Sequence, residues 1–205
     1  MIGSFFIYRI LILMVFPQVV WVLSVLADIE PPEATVGNLL KTIQKIKTSV
    51  DVSAEQKKNN LKLSKFSLNF LDISEISKKT LGRHWKKRSP KEQREFAALL
   101  GQLFKKVAFP GSSKFFSELK ITYEKNLVKD GLATTTILVR HQKEGEIEID
   151  FVMHEVSGKW KVIEVILDGV SMRNSLRSQF YKIISTTGYS DLVQRMNKKL
   201  KGGKE

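Results

Sequence analysis

Apolar and polar positions change rhythm twice along this chain. From Ile10 to Leu26 the residues are almost continuously apolar, broken only by Pro17, Gln18 and Ser24. From Leu39 the spacing becomes helical: Leu39, Leu40, Ile43, Ile46 and Val50 recur on one side, with Lys41, Lys45 and Lys47 between them. This predicts a helix over residues 35–50 or so. Asp51-Val52-Ser53 reads as a break and a new N-cap, ahead of a polar helix over residues 54–65. Phe66, Phe70, Ile73 and Ile76 carry an apolar stripe on to Leu81 and Trp85. The clearest helix follows. Ser89 can cap it, Pro90 suits its first turn, and Glu92 completes a capping box. Phe96, Leu99, Leu100, Leu103, Phe104 and Val107 give it a wide apolar side, and Pro110-Gly111-Ser112-Ser113 is expected to end it.

Beyond that point the period drops to two. Leu119, Ile121 and Tyr123 alternate with polar residues, as in a half-buried strand. Lys129-Asp130-Gly131 forms a turn into a β-rich stretch, Thr134–Arg140. Lys143-Glu144-Gly145 turns into Ile147–Met153, and Ser157-Gly158 into Trp160–Val162 and Val165–Leu167. Four strands at hairpin spacing make an antiparallel sheet. Arg173–Phe180 and Leu192–Leu200 read as helical closure. The fold class is therefore α+β: a helical layer on a curved antiparallel sheet of about four strands, around a concave apolar interior.

The apolar run near the start changes the picture of where the domain works. Arg9 precedes it, Val25-Leu26-Ala27 offers small residues for a signal peptidase, and Asp28-Ile29-Glu30-Pro31-Pro32 begins a polar, non-helical stretch. Residues 1–27 thus read as a cleavable secretory signal, 28–200 as one domain and 201–205 as a basic disordered tail. An uncleaved membrane anchor is the competing reading. The formal charge is +13, and Arg9 is the one charged residue before Asp28, so the domain itself carries +12. Such a charge favours anionic partners. The lysines are nevertheless scattered over every element (Lys41, Lys57, Lys78, Lys105, Lys125, Lys159, Lys198), with no aromatic cluster on one strand, which argues against nucleic acid. The chain has no cysteine, so disulfides, thiol nucleophiles and Cys-ligated zinc are excluded.

Catalytic signatures are sparse. His84, His141 and His154 do not stand at metal-ligand spacing. Gly169-Val170-Ser171-Met172-Arg173 lacks the second glycine of a nucleophile elbow. Glu146, Glu148 and Asp150 alternate with Ile147, Ile149 and Phe151 and read as a solvated side of a strand. Glu164 differs, because it interrupts Val162-Ile163 and Val165-Ile166-Leu167. It is either a catalytic carboxylate in a pocket or a structural anion paired with Arg173 or Arg177, and pairing is the preferred reading.

From Leu81-Gly82-Arg83-His84-Trp85 onward the chain resembles the MlaC, or toluene-tolerance, family of periplasmic phospholipid-binding proteins. Ser89-Pro90-Lys91-Glu92-Gln93-Arg94, Trp160-Lys161-Val162, Asp168-Gly169-Val170-Ser171-Met172 and Arg177-Ser178-Gln179-Phe180, with Gly188 and Leu192, follow in the family's order. Glu164 stands where the family usually has aspartate, Leu176 where it has tyrosine, and a tyrosine usual near Val107–Ala108 is absent. The resemblance implies an NTF2-like fold without catalytic activity or cofactor. It implies a phospholipid cargo carried between outer and inner membranes, as the soluble component of an ABC-type system that maintains outer-membrane asymmetry. The implied partners are an inner-membrane MCE-domain protein with its ABC transporter, and an outer-membrane lipoprotein–porin complex. The protein would be a monomer touching membrane surfaces transiently.

A carrier must keep hydrocarbon dry, at about 0.8 kcal/mol per methylene. Its cavity is expected near the upper end of the usual range of roughly 300–1,000 Å³. Candidate lining residues are Phe70, Ile73, Trp85, Phe96, Leu100, Leu103, Phe104 and Val107 from the helices, and Ile121, Tyr123, Ile137, Val139, Ile149, Phe151, Val162, Val165 and Ile166 from the strands. Val170, Met172 and Phe180 complete the set, with Arg140, Arg173 and Arg177 as candidates at the mouth. The alternative is an NTF2-like enzyme using Glu164 on a small hydrophobic substrate.

Overall fold

The period-two half of the chain forms one antiparallel sheet in the computed structural model, which describes residues 30–49, 51–117, 119–141 and 145–202. The expected secretory signal, 1–27, and residues 203–205 of the tail lie outside the described residues. The strands follow in chain order: β1 (Lys120–Lys129), β2 (Leu132–His141), β3 (Gly145–Val156), β4 (Lys159–Leu167) and a two-residue β5 (Val170–Ser171). Asp130-Gly131, Ser157-Gly158 and Asp168-Gly169 connect them as tight turns. In each, both residues sit at positive φ, at 52° and 75°, 52° and 76°, and 43° and 75°. This is the two-residue hairpin geometry whose twist suits the flanking strands, and glycine at its second position avoids the strain a Cβ would bring.

The turns set the register. Ile137 lies opposite Ile149, Ile149 opposite Leu167, and Phe151 opposite Val165. Cross-strand partners share a side of the sheet, so these residues build one apolar surface. Strand β4 breaks strict alternation. Val152 faces Glu164 and Met153 faces Val162, leaving Ile163 as the extra residue of a bulge. In a regular strand Val162, Glu164 and Ile166 would point the same way. The bulge instead turns Val162, Val165 and Leu167 to the apolar side, and Glu164 and Ile166 to the other.

The helices are α1 (Pro32–Gln44), α2 (Ala54–Ser67), α3 (Ile73–Leu81), α4 (Pro90–Leu103), α5 (Phe109–Phe116), α6 (Met172–Thr187) and α7 (Tyr189–Leu200). Ser53 and Ser89 both make complete capping boxes, with Gln56 and Glu92. Helix α1 crosses the apolar side of the sheet so closely that a Cβ on Gly37 would stand 3.1 Å from Tyr123 Oη. Helices α3, α4, α6 and α7 pack together beside it around Phe96, whose ring lies 5.8 Å from Phe180 and 6.3 Å from Tyr189.

Pro110 does not end a helix, contrary to the sequence expectation. Helix α4 widens into a π-helical turn, Phe104–Ala108, and Pro110 falls in the first turn of α5. Phe109 N–H donates to the Phe104 carbonyl five residues back, so the ladder is already widened where Pro110, which has no N–H, enters.

Candidate functional site

A cavity of about 340 Å³ lies between α1, the Phe104–Phe116 segment and the apolar side of the sheet. Leu39, Leu40 and Ile43 come from α1, Ile149 and Phe151 from β3, and Val162, Val165 and Leu167 from β4. Phe104, Ala108, Phe109, Gly111, Ser112, Phe115 and Phe116 form the wall opposite the strands, and Leu71 and Met172 complete the lining. Ala108 and Gly111 are exposed while Leu40, Phe109 and Ile149 are buried, so the cavity runs inward from the surface near the π-helical turn. None of these lining side chains is titratable, and Ser112 is the one with a polar group.

Two hydrogen bonds fasten α5 to the end of α1. Buried Ser113 Oγ donates to the Ile46 carbonyl at 2.6 Å, and Gln44 Nε2 donates to the Phe116 carbonyl at 3.1 Å. One wall is therefore an α1–α5 unit and the other is the sheet. Ring contacts stiffen the first: Phe104 lies tilted against Phe109 at 5.9 Å, and Phe115 meets Phe116 edge-on at 5.0 Å.

Of the candidate lining residues, the structure brings Phe104, Ile149, Phe151, Val162, Val165 and Met172 to this cavity. Ile137 and Val139 are fully buried in the adjoining core of β2. Phe96, Leu100 and Phe180 are buried within the helical group, and Ile73 packs there too, 3.7 Å from where a Cβ on Gly101 would sit. Phe70, Trp85, Leu103 and Ile121 are partly buried against the core. Tyr123, Val107 and Val170 are exposed, and Ile166 is turned away by the bulge. Phe115 and Phe116 lie beyond the stop that Pro110-Gly111-Ser112-Ser113 suggests, and Phe109 lies between the apolar stripe ending at Val107 and that stop, so the sequence pattern points to none of the three. Leu39, Leu40 and Ile43 were visible as an apolar stripe, but a stripe does not say what it covers.

The arginines expected at the mouth lie apart from one another. Exposed Arg140 pairs with Glu146 at 3.4 Å. Arg177 stands 5.2 Å from the Tyr181 ring centroid. Arg173 Nε lies 3.0 Å from Glu164 Oε2, and its backbone N–H donates to Glu164 Oε1 at 3.0 Å. Val165 N–H and Ser171 Oγ donate to the same carboxylate, at 3.0 and 2.8 Å. Glu164 is thus buried, satisfied and directed away from the cavity.

The histidines serve elsewhere. His154 Nε2 pairs with Asp72 Oδ2 at 2.9 Å. The His84 ring lies 4.7 Å from Tyr181, and burial, then Arg83, Lys87 and Arg88, hold its pKa below the ordinary imidazole value. The His141 side chain lies outside the described residues. Among the described residues no group of three or more His, Cys, Asp or Glu could hold a metal ion, and no helix is long and apolar enough to cross a membrane.

The motif around Gly82 builds a joint between α3 and α6. Gly82 has φ 48°, and a Cβ there would stand 2.2 Å from Tyr181 Oη. The next N–H, of Arg83, donates to that hydroxyl at 2.9 Å, and the Arg83 guanidinium lies 5.1 Å from the ring centroid.

Comparison with known proteins gives two findings. The family model described as MlaC protein matches residues 33–198. The structure of a phospholipid-binding protein from Ralstonia solanacearum, in complex with a phospholipid, superposes with a TM-score of 0.64 at 17% identity, covering 83% of this chain and 94% of that one. At that identity the likeness shows a common fold. No curated protein sequence matches the chain.

Proposed function

The chain belongs to the MlaC family, and we propose on that footing that it is a phospholipid carrier. It works in the periplasm after export by residues 1–27. There it moves glycerophospholipid between outer and inner membranes as the soluble component of an ABC-type system. An MCE-domain protein with its transporter receives or supplies the lipid at one membrane, and a lipoprotein–porin complex does so at the other.

The observation that carries this reading is the cavity lining, which has a single polar side chain, that of Ser112, and no titratable group. Two acyl chains of about thirty methylenes would face on the order of 20 kcal/mol on crossing water bare. An unbroken aliphatic and aromatic wall replaces that shelter without gripping the cargo at a fixed polar point. Phe104, Ile149, Phe151, Val162, Val165 and Met172 are proposed as acyl contacts, joined by Leu39, Leu40, Ile43, Phe109 and Phe116 from the opposite wall. The volume of about 340 Å³ lies near the lower end of the range for ligand pockets, where the upper end was expected. A diacyl cargo therefore enters by parting the α1–α5 wall from the sheet. Acid/base chemistry at Glu164 has no support, since that carboxylate points away from the cavity and is neutralised by Arg173.

Native mass spectrometry of protein purified from cells is expected to show co-extracted phospholipid. Delipidated protein without affinity for labelled phospholipid would remove the carrier reading.

A further inference from the structure

Helix α2 buries far less than its neighbours, with Ser64 and Ser67 its buried residues. Asn60 and Leu63 share that inner side. At 3.6 residues per turn the opposite side is centred on Lys58, Lys62 and Lys65, with Leu61 on one flank and Phe66 on the other. Leu61 is 58% exposed and Phe66 53%. The Phe66 ring meets Phe70 edge-on at 5.3 Å, which steadies it at the surface. The π-helical turn packs beside α2 and adds exposed Val107 and Lys106 with half-buried Lys105. No acidic residue occurs in 56–71 or 96–116, which together hold Lys57, Lys58, Lys62, Lys65, Lys105, Lys106 and Lys114.

We infer that the outer side of α2, with the adjoining π-helical turn, is the surface by which the protein settles on an anionic phospholipid bilayer. Composition favours a bilayer over a protein partner. Lysine is depleted from the cores of protein interfaces, whereas lysines beside exposed aromatic and aliphatic side chains mark helices that lie in the headgroup layer. Lysine stems can lie along Leu61 and Phe66 while their ammonium groups meet phosphates. Position agrees with composition, because Phe104 and Ala108 of that same turn line the cavity. Docking there would set the exposed end of the cavity against the membrane. The inference rests on the carrier reading for its purpose and on the surface alone for its test.

Co-sedimentation with vesicles of phosphatidylcholine mixed with phosphatidylglycerol, and of phosphatidylcholine alone, tests it. The unmodified protein is expected to bind the mixed vesicles and to be released as salt rises. Replacing Lys58, Lys62 and Lys65 together with Glu should weaken binding at least about tenfold. Leu61→Ser with Phe66→Ser should weaken it at every salt concentration. Native mass spectrometry of the same samples should find phospholipid retained, since none of these side chains lines the cavity. Failure of the unmodified protein to bind, equal binding by the variants, or binding of the α2 surface to a protein but not to vesicles would overturn the docking surface while leaving the carrier intact. Absence of phospholipid from the unmodified protein would instead remove the carrier reading, whatever the vesicles show.

Discussion

Glu164 takes three hydrogen bonds on its two oxygens, from Val165 N–H, Ser171 Oγ and Arg173 N–H, and an ion pair from the Arg173 guanidinium. It thereby ties β4 to β5 and to the first turn of α6, next to Met172 in the cavity wall. Glu164→Ala would leave a partly buried guanidinium unpaired, and urea denaturation is expected to show a loss of about 3 kcal/mol. Glu164→Gln keeps an acceptor and should lose less, with phospholipid still bound. If phospholipid disappears from a stable Glu164→Gln protein, the purely structural role assigned here is wrong. A second contrast separates cavity from core. Val165 lies in the wall and is partly exposed, so Val165→Gln should fold and carry less phospholipid. Leu100 is buried in the helical group, where an unpaired amide costs several kcal/mol, so Leu100→Gln should fail to fold stably. Circular dichroism and lipid extraction on the two variants check both halves.

Elements were legible in the sequence where their signals are local. The N-cap at Ser53, the capping box at Ser89 and the Asp130-Gly131 and Ser157-Gly158 turns each depend on a few adjacent residues, and the structure has them as read. The bulge at Ile163 left no such mark. It exists because the β3 pairing and the Glu164–Arg173 contact demand it together, and both are tertiary. Since the bulge decides which β4 residues face inward, the sequence pattern points to Ile166 where the structure has Leu167 at the cavity. The passage from α4 through the π-helical turn to α5 was hidden for a similar reason. Pro110-Gly111 is a strong local stop signal, and it is outweighed by burying Phe109 and Phe116 against α1. Of the motifs behind the family resemblance, the one around Gly82 marks the joint with Tyr181, while Val162 and Met172 of two others stand in the cavity wall. The α1–α5 fastening gives the next expectation. Ser113→Ala leaves the buried Ile46 carbonyl without that donor and should cost about 1 kcal/mol. If cargo enters by parting this wall from the sheet, loosening the wall should also speed exchange of a fluorescent phospholipid in stopped-flow measurements. Unchanged exchange in a destabilised variant would place the moving part elsewhere.

The molecule as a whole has one tightly filled region and one hollow region. Phe96, Leu81, Leu192 and Met196 fill the group of α3, α4, α6 and α7. The sheet meets α1 and α5 across the cavity. Hydrocarbon in that space would touch both walls together and bind only the folded protein, so cargo should act as a stabilising ligand. At a free concentration a hundredfold above the dissociation constant, the linkage is worth about 2.7 kcal/mol. For a domain of this size each kcal/mol moves the melting midpoint by roughly 2–4 °C. Delipidated protein should therefore melt roughly 5–10 °C below the loaded form and recover when phospholipid is returned. Calorimetry on the two forms measures this directly. Val165→Gln supplies the control, since it should melt at nearly the same temperature with or without phospholipid. A midpoint indifferent to phospholipid in the unmodified protein would mean that the cargo, if any, does not sit between the two walls.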